Sequence, residues 1–238
     1  MARAGVPLLA VLIDADNVVA RNAEAILKEI TTFGEPALRR VYGDWSDPRL
    51  NGWKEKARSL GLVAHQQSAN TRGKNASDIG LVIDAMDILH AGKFDGFVLV
   101  SSDSDFTRLA SRIREDGLEV IGIGEAKTPE ALRNVCNRFV FIENIVEEAE
   151  PVKGTVVPSD AKKSPHEAIE LIIRAMDKID QEDEWYLLGV IGQRITADNP
   201  DFDTRTYGKR KLSDLVADLK VFETKRGPGN QLLVRRID

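Results

Sequence analysis

Apolar residues follow two rhythms along this chain. Leu8 to Ile13, Gly96 to Val100 and Leu118 to Ile123 are nearly unbroken apolar runs, as strands buried on both faces require. Between such runs the period lengthens. Asn22 to Phe33 places apolar side chains at 23, 26, 27, 30 and 33, a helical spacing, and Gly34 stops it. Ala37 to Tyr42 and Leu62 to His65 read as shorter strands, and Pro48 to Leu60 as a helix closed by Gly61. Ser77 to His90 is a helix with Ser77 as its N-cap, and Phe106 to Glu115 is one closed by Gly117. Thr128-Pro129 opens a short helix, and Arg138 to Ile142 is the last strand. Strands alternating with helices predict right-handed βαβ units and an α/β, Rossmann-like three-layer domain with a mostly parallel sheet over residues 1–146.

The pattern then breaks. Residues 147–164 combine Glu147, Glu148 and Glu150 with Pro151, Gly154, Pro158, Ser159, Lys162, Lys163 and Ser164, a linker composition. Residues 165–238 form a second, small unit. His166 to Ile179 and Trp185 to Ile195 read as helices, and a third lies within Thr204 to Asp218. Phe222 to Thr224 and Leu232 to Arg235 flank the turn Gly227-Pro228-Gly229 as two short strands. Three helices and a hairpin predict a winged helix, with Leu212, Leu215, Leu219 and Trp185 in its core.

Composition narrows the partners. One cysteine, Cys136, and three scattered histidines leave no disulfide or zinc framework, which suits a cytoplasmic protein. No apolar stretch is long enough for a bilayer, so no membrane role is expected. The net charge of −5 is unevenly placed: from Arg205 to Arg236 there are nine basic residues against Asp214, Asp218 and Glu223. Such asymmetry points to a polyanionic partner for the second unit. No G-x-G-x-x-G follows the first strand and no Walker A lysine occurs, so dinucleotide and NTP sites lose their main support.

Carboxylates stand where strands end. Asp14 closes the first strand and Asp103 the fourth, Asp78 opens the helix before it, and Asp44 ends the second. In an open α/β sheet these ends share one edge, where ligands bind. Converging carboxylates repel and stay ionised together most easily around a cation, and hard oxygen donors suit Mg²⁺ or Mn²⁺. Such an ion would polarise a phosphoryl oxygen and activate water. Asp105, further into the turn, reads partly as a cap of the following helix. Asp16 reads as a turn residue directed away from Asp14. Asp84 lies about 120° around its helix from Asp78, off that face. Arg72 and Lys74, in the polar loop Gln66 to Asn75, are placed to hold a polyanion.

Leu-Ile-Asp14-Ala-Asp-Asn17, Lys74-Asn-Ala-Ser-Asp78 with Asp84, and Leu-Val-Ser101-Ser-Asp103-Ser-Asp105-Phe resemble the motifs of NYN domains, a family of PIN-like ribonucleases. The resemblance implies a Mg²⁺/Mn²⁺-dependent RNA phosphodiesterase. Asp14, Asp78 and Asp103 would be its metal ligands and Asp105 a further catalytic group, with Asn17, Asp44, Asp84 and Ser101 in support. Where many members have Lys-Gly-x-Asp, this chain is one residue longer. Asn199-Pro-Asp-Phe-Asp-Thr-Arg205-Thr-Tyr207-Gly208-Lys209-Arg210-Lys211-Leu-Ser is similar to the signature of the LOTUS domain, or OST-type helix-turn-helix. That implies an RNA-binding or protein-interaction module, with G-rich RNA favoured by some members and homo-oligomers possible. Arg205, Lys209, Arg210 and Lys211 would then meet phosphates, and Tyr207 is either a base-stacking ring or a core residue.

Two other readings compete. Asp14-x-Asp16 has the nucleophile and acid spacing of haloacid-dehalogenase-type phosphatases, although Asn17-Val18 replaces their glycine and threonine. A non-catalytic RNA-binding adaptor is the second.

Overall fold

The computed structural model describes residues 5–66, 76–149 and 162–237. The chain divides into two compact units, Met1–Pro151 and Val152–Asp238. Arg72, Lys74 and most of the basic loop lie outside the described residues, as does most of the expected linker.

In the first unit, strands β1 (Leu8–Asp14), β2 (Glu35–Gly43), β3 (Val63–Gln66), β4 (Gly96–Val100), β5 (Glu119–Gly124) and β6 (Arg138–Phe141) form one sheet in the order β3-β2-β1-β4-β5-β6. Every neighbouring pair is parallel. The helices α1 (Ala23–Ile30), α2 (Asn51–Leu60), α3 (Ala76–His90), α4 (Thr107–Glu115), α5 (Glu130–Val135) and α6 (Ile142–Ala149) cover both faces. Alternation along β1 divides the core. Leu9, Val11 and Ile13 pack with Ile26 and Ile30 of α1, Trp53 of α2 and Ile145 of α6. Ala10 and Leu12 pack with Leu81 and Ala85 of α3, Leu109 and Ile113 of α4 and Leu132 of α5. Burying each such leucine or isoleucine contributes about 1.5–3 kcal/mol, which is what fixes the strand register. The three-layer α/β architecture is the expected one.

Strand order reverses between β1 and β4, whose ends carry Asp14 and, just beyond, Asp103. Crevices form at such a switch point, because connections leave in opposite directions there. Two local differences have physical causes. α6 follows β6 directly and runs past Glu147, where the sequence suggested linker, because Ile142 and Ile145 bury against the α1 side of the sheet. α3 begins at Ala76, so Ser77 lies inside the helix rather than capping it.

The second unit holds α7 (Ile169–Asp177), α8 (Leu188–Asp198) and α9 (Leu212–Asp218), with strands β7 (Tyr186–Leu187), β8 (Phe222–Arg226) and β9 (Leu232–Arg236) in the antiparallel order β7-β9-β8. A capping box at Ser164 and Glu167 opens its first helical turn, satisfying two otherwise orphan amides. The expected helix Trp185 to Ile195 starts only at Leu188, because Tyr186 and Leu187 pair with Val234 and Leu233 of β9. Among the described residues no helix is long and apolar enough to cross a membrane.

Candidate functional site: an acidic edge at the strand-order switch

Asp14 is the best-held carboxylate of the edge. It is 1% exposed at the end of β1. Its Oδ2 accepts from Asn17 Nδ2 at 2.6 Å and from the Ser101 hydroxyl at 2.8 Å, and its Oδ1 accepts from the Asp16 amide at 3.1 Å. Burial raises its pKa, while the bonds from Ser101 and Asn17 oppose the rise. Ser101 is itself buried and links the two strand ends, since its oxygen also accepts from the Asp103 amide at 3.1 Å. The fit is tight: a Cβ on Gly124 of β5 would stand 2.7 Å from the Ser101 carbonyl oxygen. Asn17 and Ser101 thus support Asp14 by orienting it.

Beyond β4 the chain enters a 3-10 turn, Ser104–Phe106. Asp103 is its N-cap, with its carboxylate accepting from the Asp105 amide at 2.9 Å. The cap is therefore Asp103, not Asp105, and the turn swings the Asp105 side chain back toward the strand end. Asp78 arrives from the first turn of α3. Oxygen atoms of Asp78, Asp103 and Asp105 all lie within 4.8 Å of one another, the one such group of potential ligands among the described residues. Asp14 stands outside this triad, beneath it.

The charges nevertheless form one system. The Asp78 pKa is pushed up to about 6, first by burial and then by repulsion from Asp14, Asp103, Asp105 and Asp16, in that order. Asp14 is thus the strongest charge acting on Asp78. Asp16, exposed in the turn after β1, adds repulsion on both Asp14 and Asp78. A divalent cation would relieve this repulsion, and an all-oxygen donor set fits Mg²⁺ or Mn²⁺ better than metals that prefer thiolate or imidazole.

Asp84 and Asp44 are engaged elsewhere. The Asp84 carboxylate accepts from the Arg40 guanidinium and the Tyr42 hydroxyl, both on β2. Burial works to raise its pKa, but those two bonds outweigh it and hold it below the usual carboxylate range. The group joins α3 to β2 and so fixes the helix that presents Asp78. Asp84→Asn leaves the Arg40 charge, 26% exposed, without its ionic partner. We expect a loss of about 1–3 kcal/mol in urea unfolding. Asp44 turns its Oδ1 to the amide and hydroxyl of Ser46 and to Gln66 Nε2, closing the loop after β2.

In the second unit the basic cluster divides. Arg205 forks onto Asp203, with its Nε and Nη2 2.9 and 2.7 Å from Oδ2, and Lys209 pairs with Asp218 at 3.0 Å. Arg210 and Lys211 are exposed. Tyr207 is 6% exposed, its ring 5.8 Å from that of Phe202, so it is a core residue and not a surface for a base. We expect Tyr207→Phe to leave RNA affinity unchanged in an anisotropy titration. Tyr207→Ala should cost about 3 kcal/mol of stability. Trp185 goes the other way. It is only half-buried and stands outside the core cluster of this unit, with Lys225 Nζ 3.8 Å and Arg235 Cζ 4.9 Å from its ring centroid.

Residues 8–143 match the family model described as the NYN domain, and residues 159–234 match that of the OST-HTH/LOTUS domain. No curated protein matches the chain. The crystal structure of a protein of unknown function from Vibrio parahaemolyticus is 22% identical. The match covers 61% of this chain and 98% of that one with a TM-score of 0.50, a likeness of fold. The solution structure of an uncharacterized protein from Nitrosomonas europaea is 28% identical, over 37% of this chain and 88% of its own, with a TM-score of 0.29.

Proposed function

Since the chain belongs to the NYN domain family of PIN-like nucleases and carries an OST-HTH/LOTUS domain behind it, we propose that it is a divalent-metal-dependent ribonuclease hydrolysing RNA phosphodiesters. One observation supports this above others: three carboxylate oxygens gathered within 4.8 Å at the switch of strand order, with a fourth carboxylate buried beneath them. Asp78, Asp103 and Asp105 would hold Mg²⁺ or Mn²⁺. Asp14, held by Asn17 and Ser101 outside that triad, would join it around the ion, giving the ligand set of Asp14, Asp78 and Asp103 that the motifs suggest. A bound ion would supply charge neutralisation and Lewis acidity at the scissile phosphate. Asp105, the most exposed of the triad, orients the attacking water by accepting its hydrogen bond.

The two domains, the first ending with α6 at Ala149 and the second opening at the Ser164 cap, would work on one strand. The second domain anchors RNA through Arg210 and Lys211 and raises its effective concentration near the acidic edge. Arg72 and Lys74 would meet the substrate backbone beside Asp78. A haloacid-dehalogenase-type reaction requires Asp14 as an exposed nucleophile. Its burial and its three hydrogen bonds speak against that role. The remaining alternative is a binding module without chemistry. Incubating single-stranded RNA with the full chain and Mn²⁺ or Mg²⁺ separates the two: we expect shortened RNA, whereas RNA that is bound but recovered intact favours the adaptor.

A further inference from the structure

The small sheet of the second unit has two unlike faces. Val234, in the centre of β9, is fully buried, and its register partners Tyr186 and Thr224 share its side. Leu233 and Arg235 alternate to the outer face, where they pair with Lys225 and Glu223 of β8, and Leu187 pairs with Leu233 there. Trp185, one residue before β7, lies on this outer face, as its contacts with Lys225 and Arg235 establish. The solvent face of an antiparallel sheet ordinarily carries polar side chains. This one carries an indole and two leucines between cations.

The cations differ. Arg235 divides its charge between Glu223 at 2.7 Å and Glu184 at 3.5 Å. Lys225 is exposed, makes no ion pair with a described residue, and rests on the indole instead. Arg226 and Arg236, exposed on the same two strands, alternate to the other face with Phe222 and Val234. A flat π surface carrying one cation that makes no ion pair with a described residue complements a ligand that is itself a chain of π faces and negative charges. A purely apolar protein partner would have to bury Lys225 without a counter-charge, which is costly.

We propose that the outer face of β7-β9-β8 is a stacking platform for single-stranded RNA, with Trp185 under a base and Lys225 on the adjoining phosphate. Lys225, a flexible side chain, leaves the ring as the base arrives and moves to the backbone, while Arg235 stays to frame the indole. Because stacking uses the face common to all bases, the platform is tolerant of sequence. The proposal rests on the second domain being the RNA anchor and adds to Arg210 and Lys211 a second surface that holds the strand.

The test uses the full chain in EDTA, so that RNA stays intact, with labelled uridine-rich and mixed-sequence single strands. Trp185→Ala should raise Kd about tenfold or more on each strand, and Trp185→Phe, which keeps a ring, should raise it much less. Lys225→Ala should weaken all strands alike and lower the slope of log Kd against log salt by about one. RNA should quench tryptophan fluorescence in the wild type, and that quenching should vanish in Trp185→Phe, whose melting curve shows whether the fold is kept. Wild-type affinity in Trp185→Ala, together with lost affinity in Arg210→Ala/Lys211→Ala, overturns the platform and leaves the RNA anchor standing. A wild type that binds no RNA overturns both.

Discussion

Asp103→Asn should cut the rate of RNA hydrolysis at least about 100-fold while leaving RNA affinity within a factor of two or so of wild type. The asymmetry follows from position. The Asp103 carboxylate belongs to the oxygen triad and also caps the turn that carries Asp105. An asparagine amide keeps an oxygen able to accept the Asp105 N–H, so the turn persists. What it removes is a charge from a site whose purpose is to gather charge. With RNA anchored by the second domain, as proposed, Kd should hold. A loss of affinity equal to the loss of rate would show that Asp103 serves folding or binding instead. Measuring single-turnover cleavage and anisotropy on the same preparation separates these outcomes.

Asp78→Asn should make the metal-free protein more stable at neutral pH while abolishing metal-dependent activity. The folded Asp78 titrates at about 6, against an ordinary value of 3.8. For a carboxyl raised in this way the folded state binds its proton more tightly than the unfolded one. Its stabilising contribution is complete below pH 3.8 and is lost as pH rises through 6. Without metal, the wild type is therefore penalised at pH 7 by repulsion that an amide removes. Asp78 is partly exposed, so screening reduces the gain in urea unfolding to about 1 kcal/mol. Saturating Mn²⁺ should stabilise the wild type and not the variant. The same titration gives an activity profile: below pH 6 protons compete for Asp78, and wild-type cleavage should decline as the solution is acidified. Equal stability of the two proteins in EDTA across this range would remove the electrostatic basis of the site.

The reach of the sequence was set by distance along the chain. β1 and β4 were legible because residues buried on both faces leave an unbroken apolar run, and Asp14 and Asp103 were legible as the residues that end those runs. The helix bearing Asp78 was legible from its period. What depends on a distant partner was not. Asp84 is claimed by Arg40 and Tyr42, more than 40 residues away, and nothing in the spacing of α3 announces it. Trp185, expected in the core, and Tyr207, left open between core and stacking ring, were settled by distant partners in the same way. Pairing of Tyr186 and Leu187 with β9 draws Trp185 onto an open sheet face, while Phe202 and the helices enclose Tyr207. Asp105 joins the triad through a 3-10 turn, capped by Asp103, that precedes α4, and nothing in the spacing announces that turn. Asp16 lies in the turn where the sequence put it.

The central claim is that the acidic edge is a metal centre for RNA hydrolysis. It is tested most directly by the initial rate at which single-stranded RNA is shortened as Mn²⁺ is titrated from EDTA-stripped protein at pH 7, for wild type and Asp103→Asn. The expected result is a wild-type rate that rises from zero and saturates, with the variant flat near the baseline. A wild-type rate that ignores Mn²⁺, or a variant that follows the same curve, would contradict it.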